Sequence, residues 1–159
     1  MIKHTLLIGM LLSSVVLSTA CSLEPPRNSN MSNNVRDTVP QHKAVTIAEQ
    51  MIGAPYRYGG NTPKGFDCSG LVYYSYSKAG YPIGRDSKSQ IAQTITIDPR
   101  DLRPGDLVFF DIEGSNTHIG IYTGHGQFIH APSSGKRVSY ASMDEKYWRD
   151  HFVRAGRLK

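Results

Sequence analysis

Two rhythms of apolar residues divide the chain. Ala44, Ile47, Ala48, Met51 and Ile52 recur at helical spacing, and Gly53 followed by Pro55 closes that helix. Leu71, Val72, Tyr74 and Tyr76 mark a second helix, with Asp67 as its N-cap and an end near Gly80. Ser87 reads as the N-cap of a short third helix through Ile91 and Ala92. After Asp98 short strands take over, at 107–110, 117–122 and 127–131. A fourth at 137–140, a helical stretch over 144–150 and a closing strand over 152–158 complete the pattern. Helices first and antiparallel strands afterwards predict an α+β domain over 43–159.

The residues before that domain follow neither rhythm. Lys3 and His4 precede an apolar run from Leu6 to Leu17, too short for a comfortable membrane span. Ser18-Thr19-Ala20-Cys21 then supplies small residues before a cleavage point. Residues 1–20 therefore read as a secretory signal of lipoprotein type, with Cys21 as the lipid-bearing first residue of the mature chain. Ser22 is compatible with sorting to the periplasmic face of an outer membrane. Ser18 stands where such signals usually carry leucine, so ordinary signal-peptidase cleavage and an uncleaved anchor are the alternatives. Residues 21–42 are polar and aperiodic and read as a flexible tether with an r.m.s. span of roughly 25 Å.

Export changes what the cysteines mean. The chain has two, and with Cys21 given to lipid no second cysteine is left to form a disulfide with Cys68. A single thiol kept in an oxidising compartment favours chemistry over packing. The net charge of +5 suits anionic partners in general, and no run of Lys and Arg singles one out.

Cys68 falls in the first turn of its helix, where backbone N–H groups and the helix dipole favour thiolate. The alternative is a small buried hydrophobe, as most cysteines outside disulfides are. If Gly124-His125-Gly126 is a three-residue hairpin loop, His118 faces Pro132 and His130 faces Gly120. Both histidines then share one sheet face, whereas a two-residue loop would split them. A thiol, a base in reach and a third polar group that orients the base make a nucleophilic site. Cys68, His118 and His130 fill those roles. The same three could instead hold zinc, although no close ligand pair such as C-x-x-C occurs. Asp106 and Asp111 read as turn or cap residues, and His42, His125 and His151 as packing or surface residues.

Five segments, in order, resemble the NlpC family of cell-wall cysteine peptidases. They are Pro55-Tyr56-Arg57-Tyr58-Gly59-Gly60, Asp67-Cys68-Ser69-Gly70, Arg103-Pro104-Gly105-Asp106-Leu107-Val108-Phe109-Phe110, His118-Ile119-Gly120-Ile121-Tyr122 and Phe128-Ile129-His130-Ala131. The resemblance implies a papain-like α+β fold with N-terminal helices packed on an antiparallel sheet. It also implies hydrolysis of an amide in peptidoglycan stem peptides, commonly between the γ-carboxyl of D-glutamate and a diamino acid, or at a cross-link. Cys68 becomes the nucleophile, His118 the base and His130 the third polar residue. Tyr56 becomes an oxyanion or substrate contact, and Asp67 and Ser69 bind polar ends of the substrate. Arg85, Ser87 and Gln90 line the cleft, with Gly84 where proline is common. The implied partners are wall stem peptides and, through the lipid on Cys21, a membrane. No nucleic acid, metal or organic cofactor is implied, and the chain is expected to act as a monomer. A wall-binding lipoprotein without catalysis and a thiol acyltransferase or amidase are the alternative functions.

Overall fold

The computed structural model describes residues 40–112, 114, 118–133 and 135–159. The signal, Cys21 and most of the expected tether lie outside the described residues. The helices are α1 (Pro40–Gln50), α2 (Cys68–Ala79), α3 (Ser87–Ala92) and α4 (Lys146–His151). The strands are β1 (Asn61–Thr62), β2 (Gly65–Phe66), β3 (Thr94–Ile97), β4 (Leu107–Phe110), β5 (His118–Gly124), β6 (Gln127–His130), β7 (Ser139–Ser142) and β8 (Phe152–Leu158). β1 and β2 pair with each other, and the other six form one antiparallel sheet in the order β3-β8-β4-β5-β6-β7.

Each face of that sheet carries its own core. On one face Ala44 and Ala48 of α1 and Leu71, Val72 and Tyr76 of α2 pack against Leu107, Phe109, Ile119, Ile121 and Ile129. On the other, Val108, Phe110, Tyr122 and Phe128 pack beneath Trp148 of α4. Leu107-Val108-Phe109-Phe110 has no polar residue because both of its faces are covered. Each fully buried aliphatic or aromatic side chain there contributes about 1.5–3 kcal/mol of burial.

Several boundaries differ from the sequence expectation. α1 begins at Pro40, inside the stretch read as tether, because proline suits a first helical turn. Asp86 caps α3 rather than Ser87, its carboxylate accepting the Ser89 N–H at 2.9 Å. Strand structure starts before Asp98, since Thr94-Ile95-Thr96-Ile97 is an edge strand on β8 whose partner lies far along the chain. The fourth expected strand starts at Ser139, and Arg137 instead makes a single bridge to Pro55. β8 lies between β3 and β4, so the last strand is internal to the sheet.

Candidate active site

The start of α2 is built by Asp67. Its extended backbone (φ −90°, ψ 176°) ends the preceding loop, and its carboxylate accepts the Gly70 N–H at 2.6 Å and the Gly59 N–H at 2.9 Å. Gly70 is required because a Cβ there would lie 1.9 Å from the Gly60 carbonyl oxygen. The helix stops at Gly80, whose φ of 89° is left-handed. Cys68 is thus the first helical residue, half-buried.

The thiol differs from the sequence expectation. Burial, then the neighbouring Asp67 carboxylate, push its pKa up, and the backbone N–H groups of Ser69, Ile119 and Cys68 only partly offset them. The resting group is the neutral thiol. Its contact with the Ile119 N–H places the sulfur beside the first residue of β5, His118.

His118 and His130 do share a face, by a different turn from the one expected. The turn is His125-Gly126, both left-handed (φ 51° and 72°), and Gly124 pairs with Gln127. Such a two-residue turn alone would separate the histidines. The register shifts between Tyr122 and Gly124, so Tyr122 faces Phe128 and Ile121 faces Ile129. That one-residue bulge restores the common face. His118 Nε2 and His130 Nδ1 then meet at 2.7 Å in a buried hydrogen bond.

The two rings sit on the face opposite α2. Trp148 stacks on His118 (centroids 5.4 Å, planes 25° apart) and turns its edge to His130 (4.8 Å, 87°). Sequence reasoning missed Trp148; its only signal was being the single tryptophan. Burial lowers the His118 pKa to about 4, and burial with the His118 and Lys136 charges lowers His130 to about 3. Both imidazoles are therefore neutral at pH 7. With Nε2 of His118 committed to His130, Nδ1 is the ring nitrogen that can address the thiol. It is a base when Nε2 carries the proton and donates it to His130. Among the described residues no three His, Cys, Asp or Glu side chains are disposed to hold a metal ion.

The other expected site residues form a second edge. Arg85 pairs with the Asp67 carboxylate at 2.8 and 3.0 Å and donates to Ser69 Oγ at 3.1 Å and to the Gly60 carbonyl at 3.1 Å. Ser69 Oγ donates to Asp67 at 3.3 Å. Gln90 is fully buried and donates to the carbonyls of Ser69 and Gly84, so it braces the helix start rather than lining the cleft. Tyr56 stands near enough for burial first, and the Cys68 charge second, to raise its pKa.

A thiol at a helix start beside the strand that begins with His118, with His118 and His130 paired on an antiparallel sheet, is the arrangement of a papain-like cysteine peptidase core. The chain belongs to the NlpC/P60 family, whose profile matches residues 53–157. It is 36% identical over 154 residues to the probable endopeptidase NlpC of Escherichia coli K12, across 94% of this chain and 97% of that one. It is 43% identical over 121 residues to the murein DD-endopeptidase MepH of the same organism, across 72% of this chain and 45% of MepH. The crystal structure of the NlpC/p60 domain of the peptidoglycan hydrolase SagA superposes with a TM-score of 0.66 at 34% identity, covering 74% of this chain and 98% of that domain. The chain thus spans about half the length of MepH and of other curated relatives it matches.

Proposed function

We propose that the protein is a peptidoglycan endopeptidase that hydrolyses an amide bond of wall stem peptides through a thioester on Cys68. The observation that carries this is the 2.7 Å His118–His130 bond, which leaves His118 Nδ1 as the base for a thiol at the start of α2. The thiol proton passes to Nδ1 as sulfur bonds to the carbonyl carbon. Backbone N–H groups at the helix start and the Tyr56 hydroxyl hold the oxyanion. The carbon–nitrogen bond breaks as Nδ1 returns the proton to the leaving amine. Water then adds to the thioester, again giving its proton to Nδ1, and the sulfur leaves and is reprotonated. His130 accepts the Nε2 proton bond throughout and steadies the imidazolium.

Asp67 and Ser69, held by Arg85, bind a polar end of the acyl half. The bond is the γ-D-glutamyl link to a diamino acid, or a cross-link. Lipid on Cys21 anchors the monomeric domain at the periplasmic face of an outer membrane, and the tether lets it reach the wall. Purified protein incubated with wall sacculi should release soluble stem-peptide fragments, and Cys68→Ala should release none. Fragment release by Cys68→Ala equal to that of the unaltered protein would refute the mechanism. Labelled palmitate should enter the unaltered chain and not Cys21→Ser; equal labelling of both would remove the anchor.

A further inference from the structure

The two imidazoles need something outside themselves to fix their planes. The outer torsion of a histidine side chain is broad and roughly twofold, so it does not choose an orientation for the ring. A hydrogen bond between neutral imidazoles is a weak restraint wherever water can compete for both partners. Among the described residues three rings contact His118, and one of them lies flat on it. Phe110 is tilted by 44° at 6.2 Å, and His130 stands at 89°. Trp148 lies within 25° of the His118 plane at 5.4 Å and meets His130 nearly at right angles at 4.8 Å. The indole is itself held, by edge contacts with Phe110, Phe128 and Tyr147 at 4.9, 5.1 and 5.0 Å.

Trp148 also lies on a boundary. It lines a cavity of about 420 Å³ together with Pro132, Ser133 and Lys136, whereas neither histidine lines it. His118 is only 7% exposed and His130 only 3%. The indole thus stands between the imidazole pair and the water which that cavity admits. The charged groups of α4 and its cap are engaged elsewhere. Lys146 pairs with Asp150, Arg149 donates to the Asp144 carbonyl, the His151 ring to the Tyr147 carbonyl, and Glu145 accepts the Ser142 N–H. Of the titratable groups around the pair, Cys68 lies beside the start of β5 and Lys136 bears on His130. α4 therefore acts on the rings through its tryptophan.

We propose that Trp148 is a positioning residue of this active site: it fixes the plane of the His118 ring and keeps water from the His118–His130 bond, so that Nδ1 stays turned to the thiol. The consequence for rate rests on the endopeptidase reading above, whereas the geometry can be measured without a substrate.

Nitrogen-15 nuclear magnetic resonance of the resting protein reads the bond directly. The His118 Nε2 proton should give a slowly exchanging imidazole signal, coupled across the bond to His130 Nδ1 and close to indole protons. In Trp148→Leu, apolar but smaller and without a flat face, that proton should exchange at least about tenfold faster. Water then reaches the rings, so their titration midpoints should rise from about 4 and about 3 toward 6.5. With a stem peptide as substrate, kcat should fall on the order of tenfold to a hundredfold with KM within about twofold. The acid limb of kcat/KM should move up with the His118 midpoint. Trp148→Phe, which restores a flat ring, should recover the slow proton and most of kcat. Phe152→Leu loosens the same core through Phe110. It should lower the melting temperature and leave the proton, the midpoints and the acid limb in place. Absence of a protected His118 proton in the unaltered protein would overturn the proposal whatever the variants do. So would a folded Trp148→Leu protein with that proton and kcat unchanged, or Phe152→Leu moving the same readouts as far. If the unaltered protein cuts no stem peptide, the endopeptidase reading fails while the resonance measurements still decide the role of Trp148.

Discussion

The neutrality of His118 and His130 is imposed by burial, and it makes stability depend on pH. In the unfolded chain each imidazole gains its proton near the ordinary pKa of 6.5, whereas in the fold they resist protonation down to about 4 and about 3. Between those values the unfolded state binds more protons. Stability is therefore complete above pH 6.5 and is lost as pH falls toward 4, at about 1.4 kcal/mol per pH unit for each histidine. Thermal melts from pH 7 to pH 4 should show that decline, and His130→Asn should flatten it. The same shift keeps the base competent in mild acid, so kcat/KM should fall only as pH approaches about 4. Cys68 moves the other way, and its alkylation by iodoacetamide should have a midpoint above the ordinary thiol value of 9.0. Residue type and motif pointed to these residues in the sequence. Their ionisation was not legible there, because the burial around Cys68 and the tryptophan over the two rings come from segments far away in sequence.

At the scale of elements, the start of α2 and the β5–β6 hairpin set the geometry. Asp67 was readable as an N-cap because its chemistry is local. Its pairing with Arg85 follows from the segment before α3 folding back, which no local pattern encodes. Asp67→Asn keeps an acceptor for the Gly70 N–H and should cost about 1 kcal/mol, while Asp67→Ala loses cap and ion pair and should cost about 2–4 kcal/mol in urea denaturation. The hairpin illustrates how a correct face assignment can rest on a different local structure. The glycines around His125 suggested a longer loop, but a bulge between Tyr122 and Gly124 followed by a tight turn gives the same alignment of the histidines. Gly120 lies within that alignment, and a Cβ there would be 2.4 Å from the Phe128 ring. Gly120→Ala should therefore cost about 1–3 kcal/mol and displace Phe128 from beneath Trp148.

Across the whole molecule the site depends on both faces of one sheet, the thiol arriving from the helical layer and the imidazoles from the Trp148 layer. The class of fold followed from the order of helices and strands; the place of β8 did not, because strand order is not written in sequence order. Arg157 of β8 donates to both oxygens of buried Asp106 at 2.8 and 2.7 Å, tying the end of the chain to the turn that leads into β4. Deleting residues 152–159 removes an internal strand and should abolish the cooperative melt, as followed by far-UV circular dichroism. The most direct test of the catalytic assignment is intact-mass spectrometry of acid-quenched protein during turnover of a stem peptide. A Cys68 thioester should appear as the mass of the acyl fragment, disappear with hydroxylamine and be absent from Cys68→Ala. Continued hydrolysis by Cys68→Ala, or turnover with the acyl fragment on another residue, would contradict it.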